Sequence, residues 1–559
     1  LKFDREWWKE AVVYQIYPRS FKDANQDGIG DLLGIKESLP YLKNLGVDVL
    51  WLSPVYKSPM IDGGYDIADY QDIDPMFGTM EDMDALIATA DKMDMKILMD
   101  LVVNHTSDQH PWFQEALKNP KSSYRNWYIF REGRNGQPPN NWRSYFGGSV
   151  WEKVPGEENM YYFHCFAKEQ PDLNWENSDV RQAIIDMINW WLEKGLGGFR
   201  IDAILNLKKT ITYGNFPADG EDGLCWVGRY ILNQPGILDW LQELDHKTFR
   251  AHNSFTVAEA DVPFEQLKDY IGEDGVFRMV FDFSYTDIDV PETGEWHQQS
   301  NWSVADLKKA IFNNEVITQQ VGWGAKYLEN HDQPRSINKY IPSADISNTS
   351  KKMLGTLFMM LHGTPFIYQG QEIGMENIWM DSLTDYDDLA TLDQYERAIQ
   401  AKVTPEDAFY GLFKRSRDNS RTPMQWNNQP FAGFTQGETT WLKVNPNYSK
   451  INVEIEDSDS ESVLNHYRRL IALRRDPIYR DVVIYGKFIP CESSMHTIVY
   501  ERQLEEKKII VAVNFSNKQQ QIEISQEYRH LLLNNYPDID LIKDNLSLEA
   551  YQSIILSNY

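Results

Sequence analysis

Ile97-Leu-Met-Asp-Leu-Val-Val103 is a short β-rich run, preceded by the amphipathic helical stretch Met80 to Met93 and followed by Asn104 and His105. The same alternation continues outward in both directions. Toward the start lie Val12 to Tyr17, the helical Ile35 to Leu45, and Val49 to Leu52. Onward come the helical Val180 to Glu193, Gly198 to Ile201, Phe255 to Ala258, Met279 to Phe283, Lys326 to Leu328, the helical Lys351 to Leu361, and Phe366 to Tyr368. Strands that alternate with helices call for a parallel sheet joined by crossovers, and eight of them close most economically into a (β/α)8 TIM barrel of the α/β class. An open doubly wound sheet would want a Gly-rich phosphate turn after its first strand, and none follows Tyr17.

With 559 residues the chain has room for a barrel plus smaller additions. The connection from about Asn104 to Asp172 is rich in Trp, Asn, Gly and Pro and too long for a simple loop. It reads as a small inserted domain (105–172) after strand 3, which divides the barrel domain into 1–104 and 173–477. After the helical Val463 to Arg474, alternating runs such as Thr497 to Arg502 and Lys508 to Asn514 indicate a C-terminal antiparallel β domain, 478–559. The acidic run Glu454 to Glu461 reads as a solvated loop.

A formal charge of -28 excludes nucleic acid and anionic lipid as natural partners, since phosphates must be met by basic groups. Neutral substrates fit better, and 18 Trp with 30 Tyr suit stacking against sugar rings. Cys165, Cys225 and Cys491 have neither a disulfide framework nor metal-ligand spacing, and read as thiols of a reducing compartment. Leu1 to Glu10 lacks an apolar signal core, and no later stretch has the length of a membrane span. The expectation is a cytoplasmic protein without membrane partners, a monomer or weak homo-oligomer, using no organic cofactor.

A barrel of this kind carries its active site at the C-terminal ends of the strands. Strand 3 ends in Asp100, Asn104 and His105, strand 4 in Arg200 and Asp202, strand 5 in Glu259, and strand 7 in Asn330, His331 and Asp332. Any one of these acids alone would read as a loop or capping residue. Convergence on one face points instead to glycoside hydrolysis, which needs one carboxylate to attack the anomeric carbon and one carboxylic acid to protonate the leaving oxygen. Asp202 and Glu259 are the natural pair, with Arg200 on the same strand face holding Asp202 ionised. Glu259 follows an apolar run, so burial beside another carboxylate raises it into the range of a proton donor.

The segments Asp100-Leu-Val-Val-Asn-His105, Gly198-Phe-Arg-Ile-Asp202, Val257-Ala-Glu259 and Glu329-Asn-His-Asp332 resemble, in order, the four signature regions of the α-amylase superfamily. Gln170-Pro-Asp-Leu-Asn174 resembles the mark of its oligo-1,6-glucosidase branch, supported by Asp62-Gly-Gly-Tyr65-Asp66, Gly363 to Gln369 and Ser416 to Pro423. The resemblance implies Asp202 as nucleophile, Glu259 as acid/base and Asp332 as the third catalytic acid. It also implies a glucose-sized pocket of Asp62, Tyr65, His105, Phe166, Gln170, Arg200, His331 and Arg417, open to single glucose units at chain ends. Small oligosaccharides are the implied substrates. Relatives in this branch include maltases, dextran glucosidases, trehalose-6-phosphate hydrolases and sucrose isomerases.

Ala203 follows the nucleophile where α-1,6-preferring relatives typically carry Val, which tilts the expectation toward α-1,4 or mixed linkages. Ala260-Asp261, and Gln371 where Glu is commoner, also depart from the pattern. The Arg-rich stretch of sucrose isomerases is replaced by Asp289 to Trp296, and no Lys/Arg cluster near the motifs suggests a phosphate grip. A non-catalytic scaffold, such as the glucosidase-like ectodomain of a transporter heavy chain, would typically have lost the acids retained here. Asp23, Asn25, Asp27, Ile29 and Asp31 alternate oxygen ligands as a Ca2+ loop does, with Asp31 as the last carboxylate, as in similar loops of this branch, so a structural calcium ion is expected. The competing reading is an Asp/Asn-rich turn satisfied by its own backbone.

Overall fold

In the computed structural model, residues 5–298, 300–537 and 545–559 are described. Residues 1–4, the beginning of the Leu1 to Glu10 segment, and residues 538–544 of the C-terminal span lie outside the described residues. Eight parallel strands close into a barrel: β1 (Val13–Ile16), β2 (Val49–Leu52), β3 (Lys96–Leu101), β4 (Gly198–Ile201), β5 (Phe255–Ala258), β6 (Met279–Phe281), β7 (Gly324–Lys326) and β8 (Thr364–Tyr368). Their register puts Arg200 of β4 beside Asp100 of β3 on one side and Val257 of β5 on the other. Strand side chains alternate. One set, including Val49, Trp51, Leu98, Val257, Phe281 and Phe366, fills the barrel's inside, and the other, including Leu50, Leu52, Ile97 and Phe199, meets the surrounding helices. β4 opens on Gly198 because a Cβ there would overlap the Phe255 carbonyl of β5.

β7 begins two residues before the apolar run Lys326 to Leu328. Gly-Ala-Lys carries no β-branched signal, and the buried Lys326 is tolerated because Glu315 of helix Val304–Val321 pairs with it and Asn314 accepts from it at 2.9 Å. The helical stretch Ile35 to Leu45 is two helices, Leu32–Glu37 and Leu39–Leu45, because Pro40 occupies the first turn of the second. Met80–Lys92 is one helix, closed at its start by a reciprocal Thr79/Asp82 capping box. The acidic run is solvent-exposed as expected except at Glu456, but its first part is helix and not loop. Val453–Ser458 is a helix capped by Asn452, and Glu456 is buried, accepting the Leu464 N–H at 3.0 Å. Burial pushes that carboxyl up to about 8, so it is held protonated near neutrality, which is how a charge run can contribute a core residue.

Between β3 and the helix Ser178–Glu193 the chain forms a three-stranded antiparallel sheet, Phe130–Glu132, Trp151–Lys153 and Met160–Phe163. A single β-bridge between His105 and Asp172 draws the two ends of this excursion together. Trp142–Arg143 of the excursion also pairs with Cys225–Trp226, which follows β4. That clamp is reinforced by Arg143, which binds Asp219 at 2.7 Å and Asp222 at 2.6 Å. Beyond the barrel, β9 (Lys487–Cys491), β10 (Thr497–Leu504), β11 (Lys507–Asn514), β12 (His530–Asn534) and β13 (Ser553–Ser557) form an antiparallel sheet in the order β9-β10-β11-β13-β12. Arg502 docks this sheet on the barrel by donating to the carbonyls of Met360, Ile484 and Gly486.

Candidate active site

Arg200 is completely buried at the C-terminal end of β4 and organises three carboxylates. Its Nη1 donates to Asp100 at 2.5 Å and to Asp202 at 2.8 Å, and its Nη2 donates to Glu259 at the end of β5. Asp100 is fully enclosed and also accepts from Trp51 Nε1 at 2.8 Å and from the Tyr65 hydroxyl at 3.2 Å, so it fixes the cation from behind. Burial pushes Asp100 up to about 6, against the pull of Arg200. Asp202 and Glu259 keep side-chain exposures of 15% and 21%, which leaves them within reach of solvent and so of a substrate.

Burial raises both Asp202 and Glu259 above the ordinary carboxylate range. Arg200 opposes this, while the charges of Asp100 and Asp332 add to the rise at Asp202 and those of Asp202 and Asp332 to the rise at Glu259. Two close carboxyls of this kind share one proton readily, the state an acid/nucleophile pair needs. Ala203, next after Asp202, adopts φ 44°, ψ 34°, a left-handed conformation that costs a non-glycine residue roughly 1–2 kcal/mol. It turns the Ala203 N–H toward Glu259 Oε2 at 3.4 Å. Backbone strain next to a reacting carboxylate is consistent with a functional constraint.

The remaining candidates form a connected wall. Gln15 donates to His331 Nδ1 at 2.8 Å, which leaves the proton on Nε2, 2.7 Å from the Tyr65 hydroxyl and 3.2 Å from Asp332. The Tyr65 and His331 rings stack at 5.2 Å, and burial pulls His331 down to about 3, so the imidazole is neutral. Burial acts to raise Asp332, but His331, Arg417 and Arg421 outweigh it and hold this carboxyl well below its usual range. Arg417 lies 3.2 Å and Arg421 3.1 Å from the same Asp332 oxygen.

On the opposite side, Gln170 donates to Asp62 at 3.1 Å and lies 3.3 Å from His105, which in turn meets the Tyr65 carbonyl at 3.0 Å. Phe166 packs its ring 5.2 Å from His105. Arg417 reaches within 3.6 Å of Asp62 and closes the ring of side chains. Every catalytic and sugar-binding candidate read from the sequence is thus linked to another by a hydrogen bond, an ion pair or a ring contact. The loop Asp23 to Asp31 lies apart from them, after β1. Asp23 accepts the N–H groups of Asn25, Gln26 and Gly28, and Asp31 accepts those of Ala24, Asn25 and Gly34. Asn25 and Asp27 likewise accept from Asp27 and Ile29. Among the described residues no group of three or more His, Cys, Asp or Glu gathers as a metal cluster.

Sequence reasoning missed Asp388, Arg421 and Trp51 as parts of the site. Asp388 is buried and anchors Arg417, taking Nε at 2.8 Å and Nη2 at 2.7 Å. Its position in a loop after β8 gave no signal. Arg421 could have been found, because it stands four residues after Arg417 and so shares its face of the short helix Asp418–Arg421.

The model of the α-amylase catalytic domain matches residues 15–482, and that of the SusG C-terminal domain of α-amylases matches 498–555. The chain is 43% identical over 547 residues to an oligo-1,6-glucosidase of Parageobacillus thermoglucosidasius, covering 96% of each chain. Its fold matches the trehalose-6-phosphate hydrolase of Bacillus licheniformis with a TM-score of 0.91 at 37% identity, covering 99% of this chain and all of that one. It also matches the isomaltulose synthase of Klebsiella sp. LX3 with a TM-score of 0.93 at 36% identity and the same coverage. With the barrel, its C-terminal sheet and the converged carboxylates, these matches make the chain a glycoside hydrolase of the α-amylase family.

Proposed function

We propose that the protein is a retaining, exo-acting α-glucosidase that releases glucose from the non-reducing ends of maltose and short isomalto-oligosaccharides through a covalent glucosyl-Asp202 intermediate. The observation that carries this reading is one guanidinium, Arg200, touching both Asp202 and Glu259. That arrangement keeps the two carboxyls close, as the retaining mechanism needs at about 5 Å. Protonated Glu259 gives its proton to the glycosidic oxygen while ionised Asp202 attacks the anomeric carbon. The bond to the leaving alcohol breaks and an ester to Asp202 forms. Water then attacks the anomeric carbon, its proton passes to the Glu259 carboxylate, and Asp202 departs as a carboxylate. Ionised Asp332, the more exposed of the pair, accepts from sugar hydroxyls, strengthening as the ring distorts, and the neutral His331 beside it holds it in place. The approach of Arg417 to Asp62 walls off the far end of the pocket, which supports removal of single terminal units.

Ala203 leaves more room for the leaving sugar than a Val would, which supports acceptance of α-1,4 as well as α-1,6 links. Strict α-1,6 cleavage is the second reading, favoured by what the Parageobacillus relative is called. In the stretch where sucrose isomerases carry their Arg-rich motif, Asp289 is tied to Arg415 at 2.9 Å and Glu295 to Arg397 at 2.5 Å, which favours hydrolysis. Arg417 and Arg421 are engaged by Asp388, Asp62 and Asp332, which weighs against a phosphate grip in the pocket. A structural calcium ion at Asp23 to Asp31 is proposed on its hard oxygen donors alone. A reducing, cytoplasmic location and a monomer or weak homo-oligomer complete the proposal, supported by three unpaired thiols. Among the described residues no helix is long and apolar enough to cross a membrane.

The test is initial-rate glucose release from maltose, isomaltose, panose, sucrose and trehalose 6-phosphate side by side, with proton NMR of the anomer first formed. Cleavage of maltose and isomaltose with α-glucose appearing first is the expected result. Initial β-glucose would refute retention, and exclusive turnover of trehalose 6-phosphate would refute the substrate class.

A further inference from the structure

At the foot of the barrel, opposite the active site, lies a cavity of about 630 Å3 bounded by Trp7, the starts of β2 and β3, and the segment Arg474 to Ile484. Arg474 lines it and is only 2% exposed. Its Nη2 donates to the Lys9 carbonyl at 2.7 Å and the Gly363 carbonyl at 3.0 Å. Among the described residues its Nε and Nη1 have no hydrogen-bond partner, and no carboxylate stands within ion-pair distance of it. Burying a full charge against backbone dipoles alone is costly, so a guanidinium in this state calls for a counter-ion.

The acids around the cavity answer other cations. Asp48 pairs with Arg475, Glu10 with Arg480 at 3.4 Å, and Asp91 with Lys96 at 2.6 Å, while Asp94 is exposed. Arg480 is tied also to Asp481, whose Oδ1 lies 3.6 Å from its Nε. Three guanidinium groups therefore border one cavity, and Arg474 brings two nitrogens with unused donors, beside the apolar faces of Trp7 and Ile484.

We infer that the foot of the barrel is a phosphate-binding site seated on Arg474, taking inorganic phosphate or the phosphate of a small phosphorylated sugar. Guanidinium forks match phosphate oxygens in geometry and charge, the volume admits a monosaccharide-sized body, and the Trp7 face would carry that body's carbon skeleton. The site is remote from the reacting carboxylates, so an occupant acts on stability or on barrel closure and not on the chemical step.

Isothermal titration of the whole chain in phosphate-free buffer, with inorganic phosphate and separately with glucose 6-phosphate, tests this. Binding of one equivalent is expected, weakened about ten-fold in Arg475→Ala or Arg480→Ala and abolished in Arg474→Met, with the variants still hydrolysing substrate. Tighter binding of glucose 6-phosphate than of phosphate identifies the sugar-borne source, and equal binding identifies the free ion. No binding of either, or binding undiminished in Arg475→Ala and Arg480→Ala, overturns the site. Those two variants keep the test decisive if Arg474→Met does not fold.

Discussion

Replacing Arg200 by Met removes the one cation that faces Asp100, Asp202 and Glu259 at once. Burial already raises Asp202, and loss of an adjacent opposite charge adds roughly 1–3 pH units. Burial has already brought Asp202 to about 7, so at neutral pH its nucleophilic form falls from about half to about 5- to 500-fold less. The loss is therefore conditional on pH. In hydrolysis of p-nitrophenyl α-glucoside across pH 5 to 10, the acidic limb of kcat/KM moves up by about 1–3 units, and activity partly recovers toward the alkaline side. Stability follows the same groups. A carboxyl whose folded pKa is raised binds more protons folded than unfolded between the two values, so stability falls as pH climbs through that window. The variant extends the window upward, and its deficit against the wild type, about 3–5 kcal/mol for a broken buried pair, grows from pH 5 to pH 8. Activity lost with an unmoved acidic limb would refute the claim that Arg200 acts by ionising Asp202.

Asp388→Asn removes the charge that anchors Arg417, and we expect kcat/KM on maltose to fall about ten-fold, mainly through KM, because the pocket's far wall loosens while the reacting carboxyls stay in place. Thr79→Ala breaks the capping box of helix Met80–Lys92 and should cost about 1 kcal/mol in denaturant unfolding, with kcat unchanged. If calcium occupies the Asp23 to Asp31 loop, chelation lowers Tm without altering KM, and Asp31→Ala removes the chelator's effect; a Tm indifferent to chelator returns the loop to a self-satisfied turn.

The barrel was legible because eight β-rich runs alternate with stretches of helical periodicity such as Met80 to Met93 and Val180 to Glu193, and because strands 3, 4, 5 and 7 run into polar groups, all local properties of sequence. β7 was misplaced for the converse reason: Gly324-Ala-Lys326 owes its place to Glu315 and to neighbouring strands, not to its own preference. The acidic helix Val453–Ser458 was hidden similarly, since the partner that satisfies the buried Glu456, the Leu464 N–H, stands eight residues on. At the site, the residues at strand ends could be named in advance because the barrel fixes where strand ends go. Asp388 and Trp51 act through other residues, on Arg417 and Asp100, and such dependence leaves no spacing to read. The left-handed Ala203 is invisible for the same reason, because the surrounding structure imposes it.

The most direct test of the account is to trap the intermediate. The enzyme would be incubated with 5-fluoro-α-D-glucosyl fluoride, digested, and its peptides mapped by mass spectrometry. The account predicts a single fluoroglucosyl ester on Asp202, absent in Asp202→Asn. An adduct on Glu259 or Asp332, or turnover with no covalent adduct and inverted product, would contradict it.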